Sequence, residues 1–168
     1  MAKKGEKAEP SEQVRPGESE EERADRNLDE LLQELRIAIP GVQFLFAFLL
    51  TIPFATGFTS LSDAQENLYF AVIVSTALTT ALLMGPTAHH RALFRLQDKS
   101  HLVEISNRFA VAGLTMLAVS ITGAVLFVAG VVFDGTKVVV FTAVVGSFFL
   151  LFWGVLPLIR RASIRGED

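Results

Sequence analysis

The chain has 168 residues, 51% of them hydrophobic, a net charge of −3 and no cysteine. The missing thiols exclude disulfides, thiolate zinc sites, iron–sulfur ligation and cysteine nucleophiles. Apolar residues are gathered into four blocks, and none of the 15 Lys/Arg or 18 Asp/Glu falls inside one. That segregation excludes an ordinary soluble domain, where charges interleave with apolar residues at helical or strand spacing.

Residues 1–26 come first. They are rich in Lys, Glu, Pro, Gly and Ser and have almost no large apolar side chains. This composition predicts a disordered polar tail, with Glu20-Glu21-Glu22 as a solvated acidic run. From Asn27 the pattern changes. Leu28, Leu31, Leu32, Leu35 and Ile39 form one stripe of an amphipathic helix over 27–39, with Asn27 as N-cap and Asp29 and Glu30 in its first turn. Its polar face is as acidic as basic, so packing on the ends of the bundle is favoured over lying on anionic lipid. Pro40-Gly41 is expected to break this helix.

The membrane domain covers 41–159. Its spans are predicted at 41–58, 68–85, 109–133 and 138–159, each about long enough to cross a ~30 Å hydrocarbon core. Pro53 frees a carbonyl near Leu49 and should kink the first span. The second carries Ser75, Thr76, Thr79 and Thr80 as adjacent hydroxyl rows. The third and fourth carry small residues, among them Gly113, Ser120, Gly123, Ala143, Gly146 and Gly154, suited to close helix packing. Gly85-Pro86 is expected to end the second span. A helical hairpin over 86–108 follows, turning at Asp98-Lys99-Ser100 with Ser100 as a cap. Residues 160–168 form a basic tail.

Arg and Lys cluster before the first span, between the second and third, and after the fourth, while the other two connections carry a single Lys. The positive-inside bias places both termini and the hairpin in the cytoplasm of a multi-pass protein of the cell membrane. Phe58, Tyr69 and Phe70 would mark the outer interface and Trp153 the inner one. The fold class is therefore all-α: a four-helix transmembrane bundle with a cytoplasmic amphipathic helix and a cytoplasmic helical hairpin.

His89, His90 and His101 all lie in the hairpin, and Glu104 follows His101 by one helical turn. A folded hairpin that joined them would give a His/His/Glu set suited to zinc or iron. Interfacial polar residues paired with backbone are the commoner outcome, so no metal or other cofactor is assigned. Arg91 and Arg95 sit one turn apart and suit lipid phosphate or carboxylates. Leu31, Leu35 and Phe94, with these arginines, are the candidates for contact with a partner. There is no phosphate-binding loop, nucleophile motif or intramembrane carboxylate pair. Spans without ionisable groups also argue against proton-coupled or voltage-driven transport.

The stretches 27–36 (NLDELLQELR), 41–54 (GVQFLFAFLLTIPF), 85–95 (GPTAHHRALFR), 102–114 (LVEISNRFAVAGL) and 156–161 (LPLIRR) resemble a family of small actinobacterial integral membrane proteins, a domain of unknown function of the 6328 series. The resemblance implies four spans and brings no activity. The sequence alone thus points to a non-enzymatic scaffold or accessory subunit, acting through its cytoplasmic cap or by self-association. Its partners would be membrane lipid and a second copy or another membrane protein, with no role for nucleic acid. The alternatives are a small oligomeric pore or facilitator built on Gln43 and the Thr-rich face, and a metal-binding membrane protein using the histidines.

Overall fold

The computed structural model describes residues 17–93 and 99–166. Those residues form four long helical units and, among them, no strand. Helix α1 is Glu20–Thr51, α2 is Asp63–Leu93 and α3 is Lys99–Val132. The fourth unit is α4, Thr136–Phe149, followed without a break by a π-helical turn, Leu150–Val155, and α5, Leu156–Gly166. Each unit is long and apolar enough to cross a membrane. At 1.5 Å per residue the 32 residues of α1 extend about 48 Å, well beyond a hydrocarbon core.

Helix α1 starts earlier and runs further than its sequence suggests. Ser19, not Asn27, is the N-cap: its hydroxyl accepts from the Glu22 backbone N–H, and the Glu22 carboxylate accepts from the Ser19 backbone N–H at 2.9 Å. This reciprocal capping box satisfies two orphan donors and turns the acidic run into a first helical turn. The helix also passes through Pro40, where a break was expected. Pro40 forfeits one bond, to the Arg36 carbonyl, but its ring sits on an exposed face where nothing opposes it. The helix stops at Pro53, which lies in the 3₁₀ turn Ile52–Phe54.

The second expected break also fails. Helix α2 continues through Pro86 to Leu93. Pro86 is buried, so packing against its neighbours holds the helix line that propensity would give up. Ser100 is likewise inside α3 and not its cap. What was expected as a separate hairpin over 86–108 is a continuation of α2 and α3; the expected turn residue Asp98 lies outside the described residues. At the opposite end α2 opens with a second capping box, Ser62 with Gln65.

The α2–α3 pair is the spine of the fold. It is antiparallel, and three glycine contacts set its register. A Cβ on Gly113 would sit 2.5 Å from Leu83, one on Gly85 3.0 Å from Phe109, and one on Gly123 2.9 Å from Val72. Small residues thus let the two backbones approach closely. Helix α1 lies across both. Leu28, Leu35, Val42 and Leu49, at strict seven-residue spacing, are buried, and Leu35 and Val42 share a core with Leu83 and Ala110.

The fourth unit is placed differently. It joins α3 through a tight turn with Gly135 at φ +63°, a left-handed conformation that favours glycine. It packs on α3, yet no residue of α4 is buried. Its π turn has a local cause. Pro157 has no N–H to give the Trp153 carbonyl and its ring would collide there. Widening the preceding turn, with the Leu156 N–H reaching back five residues to the Leu151 carbonyl, relieves the clash.

Candidate functional site

Three polar constellations and one furrow are the places where this bundle departs from plain apolar packing. The first is a hydroxyl knot between α2 and α3. The Ser120 hydroxyl lies 2.9 Å from that of Ser75 and 3.3 Å from that of Thr79. Ser75, Thr76, Thr79 and Thr80 each also donate to a carbonyl three or four residues back on α2. Thr76, Thr79 and Ser120 are fully buried. The predicted hydroxyl rows therefore exist, bonded mainly to carbonyls of α2 itself, with Ser75 and Thr79 meeting Ser120 of α3.

The second constellation joins all three core helices at their Ser62 end. Tyr69 is buried, with its hydroxyl donating to the Leu49 carbonyl at 3.0 Å. Leu49 is four residues before Pro53, so this is the carbonyl whose usual α-helical donor the proline removes. The Ile52 N–H takes one of its lone pairs in a tighter turn and Tyr69 takes the other. The Tyr69 ring packs edge-on to Phe58 and Phe70, and at 5.8 Å from Phe127. Beside it the Gln65 side chain donates to the Gly130 carbonyl at 2.7 Å and ties the start of α2 to the end of α3.

The third lies at the opposite end, among the candidates for metal or partner binding. His89 Nδ1 is 3.1 Å from the Gly85 carbonyl, and its ring lies tilted against Phe109, centroids 5.1 Å apart. Glu104 accepts from Arg108 at 2.6 Å on the same helix. His90 is half-buried near the end of α2, and His101 is on the first turns of α3. Among the described residues no three His, Asp or Glu side chains come together as a metal would need. Of the partner-contact candidates, Leu35 is buried in the core and Leu31, partly buried, packs against it. Arg91 is exposed at the end of α2, while Phe94 and Arg95 lie outside the described residues.

Sequence reasoning missed the furrow. It runs between α1 and the fourth unit, with α3 as its floor. One part, about 600 Å³, is lined by Ile37, Gly41, Leu45, Leu117 and Trp153, with Glu34 at its rim. A second, about 410 Å³, continues past Leu45 and Ile121 to Phe133 and Phe141. From Leu114 to Phe133 its floor spans about 28 Å, close to the thickness of a hydrocarbon core. The furrow lining is apolar apart from Glu34. No sequence pattern announces it, because it arises from a gap between helices.

These features define an all-α protein with the architecture of a multi-pass membrane protein, in which Tyr69, Gln65 and the Ser75–Ser120–Thr79 group join helices. The chain belongs to the family described as Family of unknown function (DUF6328), which matches residues 17–157. No curated protein and no solved structure matches the chain.

Proposed function

We propose that this protein is a non-catalytic scaffold or accessory subunit of the cell membrane, with both termini and the α2–α3 extension in the cytoplasm, that works by lateral association inside the bilayer. The observation that carries this reading is that α4, a membrane-length unit with its π turn and α5, buries no residue and leaves a furrow beside α1. A helix that contributes so little to its own core has most of its surface available for contacts within the membrane plane. The apolar side chains of the cap support lateral association over docking from the cytoplasm, since Leu28, Leu31 and Leu35 are engaged internally.

A pore gains no support, since Ser75 and Thr79 lie against Ser120 between α2 and α3, and Thr76 and Thr80 donate to carbonyls of their own helix. The orientation rests on the distribution of Lys and Arg. Native mass spectrometry of the full chain, extracted from its own membranes in lipid particles, tests the proposal. A defined homo-oligomer or the added mass of another protein supports it; a bare monomer carrying only lipid overturns it.

A further inference from the structure

Helix α1 presents three distinct faces. Leu35, Val42 and Leu49 enter the core, and Ile37, Gly41 and Leu45 border the furrow. Away from both run Arg36, Pro40, Gln43, Ala47, Leu50 and Phe54, all exposed and spaced alternately by four and three residues. That spacing is the seam pattern of a helix that pairs with another helix along its length.

Gln43 is out of place on this face. It lies seven residues beyond Arg36, about 10 Å along the axis, inside the charge-free stretch that begins at Ile37. Its side chain makes no hydrogen bond with any described residue. An amide facing hydrocarbon without a partner is costly, and glutamine in spans characteristically bonds across helices. An amide carries both donors and an acceptor and so complements another amide. Two copies inserted in the same orientation hold residue 43 at the same depth. A two-fold axis along the membrane normal then brings α1 against α1 in parallel and Gln43 against Gln43. Ala47, one turn on, is small enough for the backbones to approach.

We propose that this face of α1 is a two-fold self-association seam whose register is fixed by an amide-to-amide pair between Gln43 and Gln43 of a second copy. The inference rests on the lateral-association reading and names its partner and its surface. It leaves the furrow, on the other side of α1, unblocked.

The absence of native cysteine makes the test clean. Single-cysteine full-length chains, Ala47→Cys on the seam and Val144→Cys on the outward face of α4, are oxidised with copper phenanthroline in the membranes where they are made. Ala47→Cys is expected to give disulfide-linked dimers and Val144→Cys none. Adding Gln43→Leu to the Ala47→Cys chain is expected to weaken the dimer about three- to thirtyfold, read from the dimer fraction against dilution in lipid, with Gln43→Asn retaining more of it. Cross-linking through Val144→Cys alone overturns the seam while leaving lateral association standing. Monomers by single-molecule bleaching, with no cross-link at either position, overturn both. Cross-linking at Ala47→Cys that is indifferent to Gln43→Leu overturns the amide pair.

Discussion

Replacing Tyr69 by phenylalanine removes one oxygen and leaves the ring contacts with Phe58, Phe70 and Phe127 in place. The lost group is the donor 3.0 Å from the Leu49 carbonyl. Hydrogen bonds between membrane helices contribute about 0.6 kcal/mol on average and up to about 1.7. Tyr69→Phe is therefore expected to destabilise the fold by about 1 kcal/mol. Pro53→Ala returns a backbone N–H at the position from which the Leu49 carbonyl normally receives one in an α-helix. In that background the carbonyl has an alternative donor, and Tyr69→Phe should then cost little. The coupling between the two substitutions should be about 1 kcal/mol, read from a double-mutant cycle of reversible unfolding in mixed micelles. If Tyr69→Phe costs the same with and without Pro53, within about 0.3 kcal/mol, then the tyrosine does not stand in for the missing N–H and the reasoning fails.

Four further outcomes are expected. Gly113→Ala places a methyl 2.5 Å from Leu83 Cδ2 and 2.8 Å from its Cγ, and should cost about 1–3 kcal/mol in the same unfolding assay. Gly130→Ala, with nothing within 4 Å, should be neutral or stabilising. Ser120→Ala opens the hydroxyl knot but leaves Ser75 and Thr79 bonded to their own helix, so its unfolding cost should stay below about 1.7 kcal/mol. Ser19→Ala removes the capping hydroxyl and should weaken the first turn of α1 by about 1 kcal/mol, seen as faster amide exchange at residues 21–23 with the membrane-embedded amides unchanged.

The four spans were legible because bilayer thickness imposes a length and a purity that few other constraints do. The hydroxyl rows were legible too, since i, i+4 spacing alone puts Ser75, Thr76, Thr79 and Thr80 on neighbouring lines of one helix. The helix boundaries were read less well, and in one direction. Pro40 and Pro86 were given their water-soluble weight as breakers, whereas both helices continue through them. In an apolar medium, abandoning the helix exposes several backbone groups, while keeping it forfeits one bond. The Ser19-x-x-Glu22 capping signature lies in a stretch whose polar composition reads as a tail. The role of Tyr69 was out of reach. Pro53 marks the carbonyl that lost its donor, but only the packing of α2 against α1 says which side chain replaces it. The same holds for Leu35, whose periodic position fits docking and core equally until its neighbours are known.

The π turn at Leu150–Val155 shifts the phase of the last helical unit. It fits an additional residue into a turn, and one residue of an α-helix is about 100° of rotation. The outward face of Thr136–Phe149 therefore does not continue into Leu156–Gly166; the unit behaves as two rods welded with a fixed offset. The direction in which Arg160 points is set by that offset together with how the embedded half sits on α3. Deleting one residue from the π turn would close it to α-helical width, and the faces of 136–149 would then run on in register into 156–166.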